Sequence, residues 1–247
     1  MSKKILVTGV GGPMGRATVE ILVNSGYFVI GITSGNLDID PKAHKIFRCD
    51  FSDEEQIYEV VELIRNMYKD LDGIVNLSGV FIEMNSFKAD AVDNFKSSFN
   101  INFWPALILT SKLSDCISPN GSIVNISSTD AYYGGISGAG YAASKAALNS
   151  LTMSLANILS PRRIRSNAIA IGWAGSGMGA PGDVIKMIEK DNLLGRVGKY
   201  EEVAELVEFL LSDKSSYING SIINFDGGDT SSNSFLAEEA RLLGGSE

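Results

Sequence analysis

A tyrosine and a lysine four residues apart are the first pair in this chain whose spacing could support catalysis. Tyr141 and Lys145 stand in the stretch GYAASKAAL, residues 140–148, whose alanines favour a helix. Residues i and i+4 lie on one helix face, so the phenol and the ammonium group would point the same way. A nearby cation lowers the pKa of a tyrosine from about 10, and such a tyrosine can act as general acid or base. The same pair is also common on exposed helix faces without any function, and other residues must decide between the two interpretations.

A glycine-rich turn near the N-terminus could bind phosphate. Gly9, Gly12 and Gly15 are spaced by three and lie between a strand-like run and a helical pattern. Glycines in this context let the backbone approach a pyrophosphate, which rests on the helix N-terminus. Pro13 falls near the first helical position, where its missing N–H costs little. The turn predicts a dinucleotide site, with an ordinary strand-to-helix turn as the alternative.

Alternating strand and helix patterns would position both features. Short apolar runs rich in β-branched residues look like strands buried on both faces, at 3–9, 27–33, 45–50, 72–78, 121–128, 164–171 and 220–228. Helical patterns lie between them, at 14–25, 53–69, 90–115, 141–160 and 200–212. This alternation predicts an α/β fold, a single-domain doubly wound parallel sheet (Rossmann fold) with helices on both faces. We expect one domain over 1–228 and a C-terminal tail over 229–247, docked on the body or on another subunit.

Composition argues against several classes of function. The chain has 247 residues, is 45% hydrophobic and carries a net charge of −8, which argues against nucleic acid and anionic membranes as partners. No apolar run reaches the ~18 residues of a membrane span, and the N-terminus lacks the apolar stretch of a signal peptide, so we expect a cytoplasmic protein. His44 is the only histidine, which argues against a Ser-His-Asp triad and excludes a His-rich metal site. Cys49 and Cys116 are expected to be buried thiols.

Taken together, these residues resemble the short-chain dehydrogenases/reductases, over about residues 3–228. Tyr141 and Lys145 match the Tyr-x-x-x-Lys of that family. Ser128, thirteen residues before the tyrosine, matches its active-site serine, and Asn102 matches its helix asparagine. The resemblance thus implies a catalytic set of four residues in the expected order.

Further segments carry the resemblance, and two positions depart from it. NLSG at 76–79 is similar to the family's Asn-Asn-Ala-Gly strand end. Residues 195–213 and 218–228 resemble the C-terminal signature of the one-domain members. VIGITSGN at 29–36 resembles the corresponding segment of bacterial β-ketoacyl-carrier-protein reductases, which use NADPH. The glycine spacing of the first turn, by contrast, is that of the extended members, which include sugar-nucleotide epimerases. Ile171 also replaces the usual proline after the sixth strand.

The resemblance implies hydride transfer between a nicotinamide cofactor and a carbonyl or alcohol carbon. Tyr141 would give its proton to the substrate oxygen, while Lys145 would lower the pKa of Tyr141 and hold the nicotinamide ribose. Ser128 would donate a hydrogen bond to the substrate oxygen, and Asn102 would hold a water that links Lys145 to solvent. The implied cofactor contacts are Gly9, Gly12, Met14, Gly15, Thr33, Ser34, Asp50, Phe51, Asn76, Gly79, Tyr141, Lys145 and Ser176. Within that set, Asp50 would contact the adenine and Ser176 the nicotinamide amide.

The choice of nicotinamide cofactor depends on the end of the second strand. An acid there would bind the ribose of NAD, and an arginine would favour the 2′-phosphate of NADP. The stretch GITSGN at 31–36 offers neither, but Thr33 and Ser34 could donate to a phosphate, and Asp38 stands late in the sequence. No Arg or Lys in the turn before Pro13 supports the phosphate. On balance the sequence favours NADP over NAD.

Several alternatives stay open from the sequence. Sugar epimerisation or dehydration is suggested by the glycine spacing, and a catalytically silent dinucleotide-binding protein is the alternative from another class. A small carbonyl or alcohol substrate would be bound by 80–88, 129–140 and 173–195.

The two long helical patterns also predict self-association. The apolar stripe expected to pack on the strands in the first of them is Phe95, Phe99, Phe103, Leu107 and Leu113. Trp104, Ile108 and Met153 lie off the apolar stripes and would be exposed in a single chain. A homotetramer or homodimer is therefore expected.

Overall fold

The computed structural model describes residues 2–35, 42–178 and 182–231. Asp38 and residues 232–247 of the predicted tail lie outside the described residues. The strands are β1 (Lys4–Thr8), β2 (Phe28–Thr33), β3 (Lys45–Arg48), β4 (Leu71–Asn76), β5 (Ile117–Ser128), β6 (Arg165–Ile171) and β7 (Ile222–Phe225). They form one sheet in the order β3-β2-β1-β4-β5-β6-β7, and every neighbouring pair is parallel.

Helices cover both faces of this sheet, as the sequence predicted. They are α1 (Pro13–Asn24), α2 (Glu54–Met67), α3 (Phe87–Asn102), α4 (Trp104–Leu113), α5 (Asp130–Tyr133), α6 (Ala139–Ile158), α7 (Gly182–Asp191) and α8 (Tyr200–Leu211). Successive residues of a strand point to opposite faces. Leu6 of β1 accordingly packs with α2, α4 and α6, whereas Ile5 and Val7 pack with α1 and α8. This is why the strands read as near-continuous apolar runs.

The single helix predicted over 90–115 is in fact two helices. α3 ends at Asn102, Phe103 has φ −120° and ψ −57°, and α4 begins at Trp104. Pro105 lies in the first turn of α4, where its missing N–H is tolerated. Inside a continuous helix the same proline would remove a hydrogen bond and clash with the preceding turn, so the helix breaks.

The buried stripe of α3 is polar, which corrects the prediction of an aromatic one. Asn94, Ser98 and Asn102 are buried. Of the predicted stripe, Leu113 is buried and four members stay partly exposed: Phe95, Phe99, Phe103 and Leu107. The reason is close packing of α3 on α6, because a Cβ on Gly140 would lie 2.4 Å from the Asn94 Oδ1. That oxygen accepts from the Gly140 backbone N at 3.2 Å.

The strand order reverses between β1 and β4, which opens a crevice at the carboxyl ends of the strands. The Thr8 hydroxyl at the end of β1 accepts from the backbone N of Leu77 at 2.9 Å and of Ser78 at 3.0 Å. A Cβ on Gly9 would lie 3.1 Å from Ser78. The glycine turn and the end of β4 therefore meet at one wall of this crevice.

Candidate active site

Tyr141 and Lys145 lie in the first half of α6, and the structure buries both. Their relative exposures are 7% and 2%. The Lys145 Nζ donates to the Ile126 carbonyl at 2.8 Å and lies 5.6 Å from the centre of the Tyr141 ring. Phe81 packs against that ring with the ring centroids 5.5 Å apart. The pair is therefore held inside the protein and is not an ordinary pair on an exposed helix face.

Burial determines the pKa values of this pair. It raises the pKa of Tyr141 from 10.0 to about 12, while interaction with Ser128 lowers that pKa and the charge of Asp130 raises it. Burial also lowers the pKa of Lys145 from 10.5 to about 8. The prediction that Lys145 brings the pKa of Tyr141 towards neutrality is wrong for this geometry, because burial raises that pKa. The phenol keeps its proton at neutral pH.

Ser128 ends β5 and lies beside Tyr141. Its side chain is buried, and its Oγ accepts from the Asp130 backbone N at 3.2 Å. The hydroxyl of Ser128 interacts with that of Tyr141 and lowers the pKa of the tyrosine. The two hydroxyl-bearing residues that the sequence selected are therefore brought together at the end of β5.

Asn102 shapes the loop that follows β4. Its Oδ1 accepts from the Val80 backbone N at 2.8 Å, and its Nδ2 donates to the Val80 carbonyl at 3.0 Å and to the Ser144 Oγ at 3.2 Å. A Cβ on Gly79 would lie 3.2 Å from the Lys145 Nζ and 3.3 Å from the Asn102 Oδ1. The side chain of Asn102 thus holds this loop beside Lys145, and its role in holding a water stays a prediction.

The glycine turn fits the pyrophosphate of a nicotinamide dinucleotide. Gly9 has φ +74°, and a Cβ on Gly15 would lie 2.1 Å from the Gly9 carbonyl oxygen, so a side chain at Gly15 would collide with backbone. α1 starts from Gly12 as N-cap, and no side chain caps it. The first-turn N–H groups and the positive end of the helix dipole are therefore available to an anion.

The end of β2 meets this turn through Thr33. A Cβ on Gly11 would lie 2.6 Å from the Thr33 Oγ1, which accepts from the Gly35 backbone N at 3.2 Å. Thr33 is buried and Ser34 is exposed. Of the two hydroxyl groups predicted to meet a phosphate, that of Ser34 is the accessible one.

Two arginines that the sequence analysis did not select lie at the same place. The Arg16 guanidinium, one turn into α1, donates to the Gly11 carbonyl. Arg48, the last residue of β3, pairs with Thr33 in the sheet. Paired residues of parallel strands project to the same face, so Arg48 shares the face on which Thr33 meets Gly11. No local motif could have signalled Arg48, because only strand pairing brings it there.

Two residues after Arg48, Asp50 follows the end of β3. Its Oδ1 accepts from the backbone N of Ser52 at 2.9 Å and from the Ser52 Oγ at 2.7 Å, and these bonds lower the pKa of Asp50. Asp53 caps α2 by accepting from the backbone N of Glu55 and Gln56. Asp50 is therefore exposed without serving as the helix cap, which leaves it available for the predicted adenine contact.

Three predicted cofactor residues also have structural roles. The buried Asn76 Nδ2 donates to the Asn125 Oδ1 at 2.7 Å and to the Thr110 Oγ1 at 3.2 Å, which ties β4 to β5 and α4. Phe51 is a buried member of one apolar core, and Met14 is partly buried and packs against the other. Ser176 follows β6 and is exposed. Its backbone N donates to the hydroxyl of Tyr200, and no sequence motif had indicated that Tyr200 lies there.

Acidic and aromatic side chains follow Ser128 in the chain. The pKa of Asp130 is raised by burial and by the charge of Asp229. Tyr132 and Tyr133 are exposed, and the Tyr132 Oη donates to the Asn224 Oδ1 at 2.7 Å. These residues join the segment after β5 to the segment around β7.

Neither a metal centre nor a membrane span is found in the described ranges. Over residues 2–35, 42–178 and 182–231, no three His, Cys, Asp or Glu side chains are grouped as metal ligands. None of the helices in those ranges is long and apolar enough to cross a membrane. His44 has a structural contact instead, since its ring stacks on Phe28 with centroids 4.6 Å apart.

Comparisons with known proteins identify the family of this chain. The family model described as Enoyl-(Acyl carrier protein) reductase matches residues 12–230. A 3-oxoacyl-[acyl-carrier-protein] reductase of Thermotoga maritima is 34% identical over 92% of this chain and 97% of its own length. A 3alpha-hydroxysteroid dehydrogenase of Mediterraneibacter gnavus is 34% identical over 71% of each chain.

Comparison of the fold with solved structures leads to the same family. A short-chain dehydrogenase/reductase from Serratia marcescens superposes with a TM-score of 0.83 at 26% identity, covering 92% of this chain and 98% of the other. The relatives are named reductases and dehydrogenases, so the sugar epimerase and silent-binder alternatives are not favoured. With the matched model, these relatives and the buried Tyr141–Lys145 pair beside Ser128, the chain belongs to the short-chain dehydrogenase/reductase family and is an NAD(P)-dependent oxidoreductase acting on carbonyl or alcohol groups.

Proposed function

We propose that the protein reduces a small neutral ketone or aldehyde with NADPH, with Tyr141 as the proton donor. The observation that carries this proposal is the phenol of Tyr141, which is buried beside Ser128 at the end of β5 and whose pKa is raised by that burial. The bound cofactor supplies the hydride. Tyr141 gives its proton to the substrate oxygen, and Ser128 donates a hydrogen bond to that oxygen as negative charge develops on it. Lys145 holds the nicotinamide ribose.

The preference for NADPH is supported by the arginines at the end of β2. Arg16 reaches the Gly11 carbonyl, and Arg48 shares the face of its partner Thr33. A 2′-phosphate beside Ser34 would meet two guanidinium groups, which pair well with phosphate. The segment GITSGN at the end of β2 has no arginine of its own, and Arg16 and Arg48 would bind the 2′-phosphate instead.

Arg16→Met should weaken NADPH binding by at least about tenfold, since a hydrogen bond to a charged group contributes ~1.5–3 kcal/mol. NADH affinity should change by less than about twofold, because NADH lacks the phosphate. Titration of protein fluorescence with each cofactor measures both constants. Arg163→Met, which removes the same charge from the turn before β6, is the control. A wild-type protein that prefers NADH, or an equal loss for both cofactors, would contradict the assignment.

A neutral substrate is favoured by the charges beside Ser128. Asp130 lies close enough to Tyr141 to raise its pKa, and Asp229 raises the pKa of Asp130 in turn. An anionic substrate would be repelled by this pair, whereas hydroxyl groups could donate to it.

The function is tested by following NADPH and NADH at 340 nm with a panel of carbonyl compounds. The panel should pair neutral ketones and keto sugars with keto acids of similar size. Turnover of neutral members with NADPH is expected. Tight cofactor binding with no turnover on a broad panel would support the silent-binder alternative, and a preference for keto acids would refute the substrate class.

Self-association is proposed through α3, α4 and α6. Trp104 and Met153 are exposed at 46% and 48%, and the partly exposed Phe95, Phe99 and Phe103 extend the same kind of surface. Ile108, which was predicted to be exposed, is buried and does not contribute. The rings of Phe99, Phe103 and Trp104 are adjacent to one another, and exposed apolar surface of this kind usually marks an interface.

Light scattering at micromolar concentration should therefore give the mass of a homotetramer or homodimer. Trp104→Glu with Met153→Glu should shift the mass towards that of one chain, because it places charge in an apolar contact. A wild-type mass of 26.4 kDa, that of the single chain, would rule out self-association.

The cytoplasm is the proposed location. Cys49 and Cys116 are buried free thiols, which suits a reducing compartment.

A further inference from the structure

We infer that Tyr200 is a positioning residue that orients Ser176 towards the nicotinamide end of the cofactor, an inference that rests on the proposed function. Tyr200 is the first residue of α8, and its Oη reaches the loop after β6. The Oη accepts from the Ser176 backbone N at 3.2 Å, lies 3.3 Å from the Ser176 Oγ and donates to the Gly177 carbonyl at 3.3 Å. One hydroxyl thus contacts three polar atoms of two successive loop residues.

The loop itself is shaped to receive the tyrosine ring. A Cβ on Gly175 would lie 2.2 Å from the Tyr200 Cζ, so the ring occupies the space that a side chain there would need. Gly175 and Gly177 have φ of +56° and +61°, in the left-handed region that favours glycine. The loop and the ring therefore fit together only because Gly175 has no side chain.

Tyr200 is held firmly enough to act on the loop. The Gly175 backbone N donates to the Gly198 carbonyl at 2.8 Å, and the Gly198 backbone N donates to the Trp173 carbonyl at 2.9 Å. At the start of α8, Glu202 accepts from the Lys199 backbone N at 2.8 Å. The segment before Tyr200 is thus paired to the loop on one side and to its own helix on the other.

Counting protons shows what this contact does to Ser176. A tyrosine hydroxyl has one proton, and here the Gly177 carbonyl accepts it. The Ser176 hydroxyl then donates its own proton to the Tyr200 Oη, which leaves the serine oxygen as an acceptor. A primary carboxamide offers N–H donors, so Tyr200 prepares Ser176 to accept from the amide group of a nicotinamide.

The test compares a ligand that reaches the nicotinamide end with one that stops at the adenosine end. Tyr200→Phe keeps the ring against Gly175 and removes only the hydroxyl. We expect its dissociation constant for NADPH to rise about threefold to tenfold, the worth of one ordinary hydrogen bond. The dissociation constant for adenosine 2′,5′-bisphosphate, which lacks the nicotinamide, should stay within twofold of wild type. Tyr217→Phe, at a fully exposed tyrosine, is the matched control and should change neither constant.

A double-mutant cycle separates positioning from general support. If Tyr200 acts through Ser176, the Tyr200→Phe, Ser176→Ala double variant should bind NADPH no more weakly than Ser176→Ala alone. Additive losses, an unchanged NADPH constant in Tyr200→Phe, or an equal loss for adenosine 2′,5′-bisphosphate would each overturn the inference. Failure of the wild-type protein to bind NADPH at all would instead refute the proposed function.

Discussion

Replacing Tyr141 with phenylalanine will lower the turnover number by about 10²–10⁴-fold, the usual contribution of a general acid or base. The variant loses the only proton that the proposed mechanism gives to the substrate oxygen, while the ring keeps its contact with Phe81, 5.5 Å away between centroids. Cofactor affinity should stay nearly unchanged, since the hydroxyl acts on the transition state and contributes little to binding of the ground state. Steady-state kinetics and a cofactor titration measure the two effects separately.

Tyr58→Phe, on the exposed surface of α2, is the control for loss of a tyrosine hydroxyl. A Tyr141→Phe variant that keeps more than about a tenth of the wild-type rate would exclude Tyr141 as the proton donor.

The high pKa of Tyr141, about 12, adds a second expectation. The rate of carbonyl reduction should not fall between pH 7 and pH 9 through ionisation of this group.

Lys145→Met should weaken cofactor binding and lower turnover with it, because Lys145 is proposed to hold the nicotinamide ribose. The lysine is almost fully buried, and its Nζ donates to the Ile126 carbonyl. Gly79 leaves room beside that Nζ, where a Cβ would lie 3.2 Å away. Loss of turnover with an unchanged dissociation constant for the cofactor would refute the ribose contact.

The wild type and Lys145→Met should differ in how their stability depends on pH. Burial lowers the pKa of Lys145 from 10.5 to about 8. Below pH 8 both the folded and the unfolded chain carry the proton, so folding pays the full cost of burying the charge. Between pH 8 and 10.5 only the unfolded chain keeps it, and wild-type stability rises with pH by an amount on the order of 3 kcal/mol.

Lys145→Met should therefore be more stable than the wild type at pH 7, with the difference shrinking towards pH 10. Urea unfolding at the two pH values measures this difference. An advantage that grows with pH would contradict the assigned pKa direction. The lost bond to Ile126 reduces the advantage at both pH values and does not change its trend.

Features that depend on residues close together in the sequence could be predicted from the sequence alone. The strands could be located because continuous apolar runs reflect burial on both faces, and Tyr141 and Lys145 share a face because helical spacing alone sets that geometry. Gly15 was recognisable because its turn allows no side chain, a local property of the backbone. The resemblance carried by Ser128 and Asn102 likewise depends on order along the chain.

Tertiary structure decided the features that depend on distant segments. The pKa of Tyr141 is raised because packing removes it from water, and residue spacing carries no measure of desolvation. Arg48 lies at the carboxyl end of β2 only because β3 pairs with β2, and Tyr200 reaches Ser176 only because α8 begins beside the loop after β6. A sequence pattern records which side chains share one helix or strand. The order of the strands and the docking of the helices determine which of those side chains meet, and these follow from packing of the whole core.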